Sequence, residues 1–328
     1  MSDLTIIKDM LRSTQSLPQT TNNLLGLNID GDQVLLVYGS VSGRVYESLS
    51  FAPPMDEPFQ STLEAVSATA DRLLSLTQAQ RLPLPDKLSV AVSGNYDEDT
   101  GMLESTADFP LWHTVPFRSQ LALRFNLPTV VAKKADAGVM AEALFGEGRD
   151  TRNLIFVSLS PTVQIGILTN GSLYRNSGGT SGDIGVITLD GDPSGPTLNS
   201  CASPAGIVSL GKQHFTQHWP EEVRLAEMIQ DVNRDDPYAR ELFELVVAKL
   251  AQGLAGVVHI LRPELIIIGQ PLCQLDSSVL NALRTALANA TRLNESKLPK
   301  VVFSGLCNRL PELQALAPAI FASRAAKN

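Results

Sequence analysis

The chain has 328 residues, of which 44% are hydrophobic and 18% charged, with a net charge of −8 and a pI near 5.1. This length suits two lobes rather than one core. The acidic balance argues against a broad nucleic-acid surface, which needs a basic field. The sequence shows neither a run of about 18 apolar residues nor an N-terminal signal-peptide core, so we expect no membrane span and a cytoplasmic protein. Three widely spaced cysteines without a CxxC pair predict a reduced compartment and no disulfide framework.

The first 23 residues predict one short helix followed by a linker. Residues 2–12 place Leu4, Ile7, Met10 and Leu11 on one face of a helix. Residues 13–23 are polar and contain a proline, which favours a loop.

The rest of the chain alternates between strand and helix patterns, which predicts an α/β protein. The predicted strands are 25–29, 34–37, 43–47, 88–92, 129–131, 153–159, 164–169, 265–269 and 300–304. The predicted helices are 59–76, 116–124, 135–145, 236–261, 277–290 and 312–323.

The junction between strand 129–131 and helix 135–145 is the candidate site. Ligands of open α/β sheets bind in the crevice beyond the carboxyl ends of strands. This junction carries Lys133, Lys134 and Asp136. Two cations there predict a cationic floor that would suit a sugar phosphate or a sugar acid. In the alternative interpretation both lysines are simply solvated at a loop tip.

From about residue 24 to residue 323, the chain resembles the ROK family (repressors, open reading frames and sugar kinases) of the actin-like ATPase superfamily. The resemblance is carried by the helix segment MAEALFG at 140–146 and by the helix–Arg262-Pro263-Glu264–strand unit. It implies a two-lobed actin-like ATPase fold, a duplicated ribonuclease H-like architecture with a ligand cleft between the lobes. The implied division is an N-terminal segment 1–23, a first lobe 24–129 onto which 312–328 packs, and a second lobe 130–311. The family is often dimeric, so the resemblance also implies a homodimer.

The resemblance places the family's catalytic aspartate on Lys134. The family carries Glu-Asn-Asp-Ala-Asn-Ala at this junction, and its Asp takes the proton from the sugar hydroxyl. The preceding Asn falls on Lys133 and the following Asn on Asp136. A lysine ammonium, with an unperturbed pKa of about 10.4, cannot accept a proton near pH 7.

The family's nucleotide-binding elements are also altered. The positions matched are Asn28, Asp30, Gly31 and Asp32 in the opening turn, Thr162 in the second phosphate turn, and Gly269 after the strand beside the adenosine. Two carboxylates, Asp30 and Asp32, would repel a triphosphate, although acids in a hairpin turn are usually just turn residues. Pro161 has no N–H to offer a phosphate.

At the sugar-binding positions the resemblance places Asp108 on an asparagine, Asp183 on a glutamate and Val186 on a histidine. The family's zinc cluster is reduced to Cys201, so we expect no metal.

These changes predict a degenerate, non-catalytic ROK-family protein that acts as a sugar- or sugar-phosphate-responsive regulator without cofactor. Residues 1–23 have room for one helix, whereas the helix-turn-helix head of the family's repressors needs three. We therefore expect no DNA binding by this chain alone. One alternative is an ATP-dependent sugar kinase of the hexokinase or glucokinase type, with Mg-ATP and an altered site. Another is a DNA-binding regulator that uses its short N-terminus.

Overall fold

A computed structural model describes residues 22–31, 33–176, 181–189 and 191–325. The helix predicted for residues 2–12, the linker up to residue 21, and Asp32 lie outside these ranges.

The first lobe is built on a five-stranded sheet. Its strands are β1 (Asn23–Ile29), β2 (Val34–Ser40), β3 (Val45–Phe51), β4 (Lys87–Val92) and β7 (Thr129–Lys133), in the order β3-β2-β1-β4-β7. The first three strands are antiparallel, and β4 and β7 run parallel to β1. A small hairpin, β5 (Asn95–Asp97) and β6 (Met102–Ser105), follows β4. Helices α1 (Phe59–Ala79) and α2 (Phe117–Phe125) close this lobe's core. Because β7 runs to Lys133 in this sheet, a lobe boundary after residue 129 would cut the strand.

The second lobe repeats this topology. Its strands are β8 (Leu154–Ser158), β9 (Gln164–Thr169), β10 (Ser172–Leu173), β11 (Leu265–Ile268) and β12 (Lys300–Phe303), in the order β10-β9-β8-β11-β12. Its helices are α4 (Leu198–Ala202), α5 (Pro204–His214), α6 (Leu225–Asn233), α7 (Pro237–Leu261) and α8 (Ser277–Thr291). Each sheet thus has three antiparallel strands followed by two parallel ones, so the predicted two-lobed α/β architecture is confirmed.

Helix α7 starts as the sequence predicts. Asp236 is its N-cap, accepting a 2.8 Å bond from the Ala239 N–H, and Pro237 occupies the first turn. By length and composition alone, α7 could cross a membrane. Here it lies against α8, and its apolar stripe fills the core of the second lobe.

A third core joins the two sheets, and it is organised by α3 (Lys134–Phe145) and α9 (Leu310–Ala325). A Cβ at Gly138 of α3 would collide with the Phe156 ring on β8, and one at Gly166 of β9 would collide with the Ala135 carbonyl. Glycine at both positions therefore lets α3 lie directly on the second sheet. Helix α9 packs on β1, β2 and β4 of the first sheet. The N-terminus of α3 is consequently held at the meeting point of the lobes.

Candidate functional site

Lys133 and Lys134 are buried where β7 passes into α3. Their exposed fractions are 6% and 9%, so the interpretation in which both are solvated at a loop tip is wrong. Lys133 is the last residue of β7 and the N-cap position of α3, and α9 fixes the turn because Gln314 donates a 3.0 Å bond to the Lys134 carbonyl. A buried ammonium needs a counter-charge.

The Lys134 ammonium is paired with the carboxylate of Asp30, the residue in the opening turn after β1. Asp30 also accepts bonds from the Gly31 N–H at 3.2 Å and from the hydroxyls of Ser93 and Ser160 at 3.3 and 3.4 Å. Burial by itself raises the pKa of Asp30, but Lys134 and these hydrogen bonds outweigh it and hold the pKa below its usual range. Lys134, where the resemblance places the catalytic aspartate, and Asp30, in the turn where it places the phosphate loop, therefore neutralise each other.

Lys133 is engaged on the opposite side of the junction. Its Nζ donates to the Ser181 carbonyl at 2.6 Å and to the Ser181 hydroxyl at 3.3 Å, and it lies 3.6 Å from Asp136 Oδ2. Burial raises the pKa of Asp136 to about 7, although Lys133 opposes the shift. With Lys134 also paired, this corrects the expectation of an uncompensated cationic floor.

A cavity of about 190 Å³ lies between the lobes next to Lys133 and Asp136; we call it the interlobe pocket. Its first-lobe side is the β5 hairpin, and Arg175, Asn176 and Ser181 contribute its second-lobe side. It is lined by Tyr96, Asp97, Glu98, Asp99, Lys133, Asp136, Arg175, Asn176 and Ser181. Glu98 and Arg175 form an ion pair of 2.6 Å from one lobe to the other. Burial raises the pKa of Glu98, and Arg175 counteracts it.

Asp108 and Asp183, the two acids at positions that the resemblance assigns to sugar binding, lie in different parts of the structure. Asp108 lies against Gly31, because a Cβ added to Gly31 would collide with its carboxylate. It therefore lies at the opening turn that also carries Asp30. Asp183 lies near Lys133. Burial raises the pKa of Asp183, the charge of Lys133 lowers it, and the net shift is upward. Asp183 Oδ1 is buried and, among residues 22–31, 33–176, 181–189 and 191–325, has no hydrogen-bond partner.

The remaining positions that the resemblance assigns to the nucleotide lie next to other parts of the chain. Asn28 donates a 3.0 Å bond to the Pro311 carbonyl at the start of α9, and a Cβ at Gly269 would meet the Phe156 ring. Thr162 lies in the half-buried turn between β8 and β9. Its neighbour Val163 donates a 2.8 Å bond to Asn199 Oδ1.

A disulfide joins Cys273 to Cys307, so the expectation of no disulfide is wrong. The two cysteines are 34 residues apart in sequence, but each follows one of the adjacent parallel strands β11 and β12, which brings their Cα atoms to 5.9 Å. Gln270 adds a 2.8 Å bond to the Cys307 carbonyl. The disulfide and this hydrogen bond therefore link the loop after β11 to the segment that leads into α9. Within the part of the chain that the structure describes, no three His, Cys, Asp or Glu side chains are grouped to hold a metal.

Sequence reasoning missed Glu98, Arg175, Ser181, Ser93 and Ser160. None of them has a local signal, since each gains its role from a contact with a distant segment.

Comparison with known proteins agrees with this architecture. The family model described as "ROK family" matches residues 25–308. A glucokinase from Thermotoga maritima is 22% identical over 279 residues, covering 80% of this chain and 86% of that protein. A putative xylose repressor from a Caldicellulosiruptor species is 22% identical, covering 90% and 78%. The crystal structure of a ROK family transcriptional regulator, a homologue of E. coli Mlc, superposes with a TM-score of 0.80 at 17% identity, covering 91% and 78%. The chain has the actin-like ATPase fold and belongs to the ROK family.

Proposed function

We propose that this protein is a non-catalytic member of the ROK family that acts as a sugar-responsive regulator. Its curated relatives include both a glucokinase and repressors, so family membership leaves kinase and regulator open. The observation that carries the proposal is the buried ion pair between Lys134 and Asp30.

This pair opposes phosphoryl transfer in two ways. A sugar kinase needs a proton acceptor beside the sugar hydroxyl, and an ammonium held by a carboxylate cannot serve. The γ-phosphate of a nucleotide needs backbone amides or cations near the opening turn. Here the turn carries the Asp30 carboxylate, and its nearby cation, Lys134, is already bound to that carboxylate.

Two further features support a role as a regulator. The loop after β11, where the resemblance places adenosine, is fastened to α9 by the disulfide and by Gln270. The interlobe pocket remains, and it is lined by both lobes. A ligand that touches both lobes can shift their relative position, because its affinity differs between arrangements.

The test is a coupled ATP-turnover assay across a hexose panel, with the Thermotoga maritima glucokinase as positive control. We expect no sugar-dependent turnover above background and, in parallel, a sugar-dependent rise in melting temperature. Turnover with any monosaccharide that vanishes on denaturation would end the proposal.

A second candidate, an ATP-dependent sugar kinase with an altered site, is favoured by Asp136. This carboxyl group lines the interlobe pocket, and its pKa of about 7 would let it accept a proton near neutral pH. Under this alternative Mg-ATP is required and Asp136→Asn abolishes turnover. Turnover that is unchanged in Asp136→Asn excludes Asp136 as the base.

A further inference from the structure

The interlobe pocket carries more acidic than basic groups. Four carboxyl groups line it (Asp97, Glu98, Asp99 and Asp136) against two cations (Lys133 and Arg175), so the net charge is −2 when all four are ionised and −1 when Asp136 holds its proton. The charge of a ligand that fits therefore depends on which of these groups already pair with one another inside the pocket.

Each cation is paired with a carboxyl group of the pocket. The three hydrogens of the Lys133 ammonium face the Ser181 carbonyl, the Ser181 hydroxyl and Asp136. Arg175 Nε lies 2.6 Å from Glu98. An anionic ligand would therefore have to share Lys133 with Asp136 or Arg175 with Glu98, and it would be repelled by both carboxyl groups and by the rest of the acidic lining.

The surplus carboxylates are Asp97 and Asp99 at the rim. Asp97 Oδ1 accepts the backbone N–H of Asp99 at 2.9 Å, its Oδ2 has no hydrogen bond within the described parts of the chain, and the Asp99 side chain is exposed. Carboxylate oxygens accept hydrogen bonds from hydroxyl groups and attract ammonium groups. A cavity of about 190 Å³ is smaller than the 300 Å³ and more of drug-sized pockets. It suits a single small polar ring.

We propose that the interlobe pocket binds a monosaccharide bearing a free, protonated amine, and that it discriminates against sugar phosphates. This inference rests on the proposed function, since it names the ligand class of the same sugar-responsive site. The ring hydroxyls donate to Asp136 and to the rim carboxylates, and the ammonium lies beside Asp97 and Asp99. This proposal reverses the ligand charge expected from the sequence, which favoured a sugar phosphate or a sugar acid.

The test is calorimetric titration of the full chain at pH 7 with four probes: glucosamine, glucose, N-acetylglucosamine and glucose 6-phosphate. We expect glucosamine to bind about two- to fivefold tighter than glucose, the upper part of the range for an ion pair near the protein surface. N-acetylation neutralises the amine and should remove this advantage. Glucose 6-phosphate should bind weakest of the four.

Variants assign the preference to the rim. Asp99→Asn should reduce the glucosamine-to-glucose ratio by about half or more, because it removes one exposed carboxylate without disturbing packing. Asp150→Asn is the matched control: it is equally exposed but lies beyond the far end of α3, roughly 18 Å along the helix from the pocket. It should keep the wild-type ratio.

Tightest binding of glucose 6-phosphate, equal affinities for glucosamine and glucose, or no binding of any probe would each overturn the inference. An Asp99→Asn ratio equal to that of the wild type would do so as well. ATP turnover is a separate readout: its appearance would refute the non-catalytic proposal while leaving the order of affinities to be judged on its own.

Discussion

Replacing Lys134 with methionine tests whether the buried ion pair stabilises the junction. Lys134→Met leaves the Asp30 carboxylate without its cation. Breaking a fully buried pair costs about 3–5 kcal/mol. The side chains here are 11% and 23% exposed, so water reaches the carboxylate and we expect about 2–3 kcal/mol. At a urea m-value of about 2–3 kcal/mol/M, the unfolding midpoint should fall by about 1 M.

The double variant decides whether the two residues act as a unit. Asp30→Asn alone strands the ammonium and should cost a similar amount, whereas Lys134→Met with Asp30→Asn removes both charges and should cost about 1 kcal/mol. The coupling energy is then at least about 3 kcal/mol. Lys212→Met is the control, because its pair with Glu221 at 3.2 Å is exposed and should contribute under about 1 kcal/mol. Effects of the two single substitutions that add within 0.5 kcal/mol, the usual margin for independent sites, would refute the reasoning.

The pair also has a defined pH dependence. The folded-state pKa of Asp30 is depressed, so its stabilisation is fully present above the unfolded value of 3.8 and is lost as pH falls through the lower folded value. Below about pH 4, Lys134→Met should therefore be destabilised by acid less than the wild type is. An acid-unfolding curve identical to that of the wild type would contradict the assignment.

Three further predictions concern other buried groups. The folded protein holds a proton on Asp136 up to about pH 7, so unfolding free energy should fall as pH rises from 3.8 to 7, and Asp136→Asn should flatten that slope in urea titrations at pH 4.5, 6 and 8. Thiol titration of the denatured, unreduced chain should find one free cysteine, Cys201, and Cys273→Ser should lower stability by about 2–4 kcal/mol without reductant; three reactive thiols would exclude the disulfide. Ser304→Ala should cost about 1–3 kcal/mol in urea unfolding, because the buried Glu142 carboxyl loses its hydroxyl partner, and a cost below 0.5 kcal/mol would contradict that role.

The sequence predicted the scaffold because strands and helices follow from local patterns. Helix α7 begins at Pro237 and ends at Leu261, as its cap and apolar stripe indicate. The third strand was displaced, predicted at 43–47 and found at Val45–Phe51. Most side chains of this strand are half-buried, so apolar and polar residues do not alternate clearly along it.

The sequence indicated where the candidate site lies, but it did not predict which residues contact one another there. Lys134 and Asp30 each stood out as a departure from the family pattern, yet they are 104 residues apart and their pairing depends on how α3 meets the first sheet. Cys273 and Cys307 were judged by spacing, although the parallel register of β11 and β12 is what brings them together. Contacts of this kind arise from tertiary placement, which periodicity does not encode.

The ion pair between Glu98 and Arg175 has a kinetic consequence. It connects the lobes beside the interlobe pocket, so a ligand entering from that side must wait for it to separate. Association should then level off at high ligand concentration, at the rate of opening, rather than rising in proportion. Added salt weakens partly exposed ion pairs. Raising ionic strength should therefore speed ligand entry, the reverse of electrostatic steering.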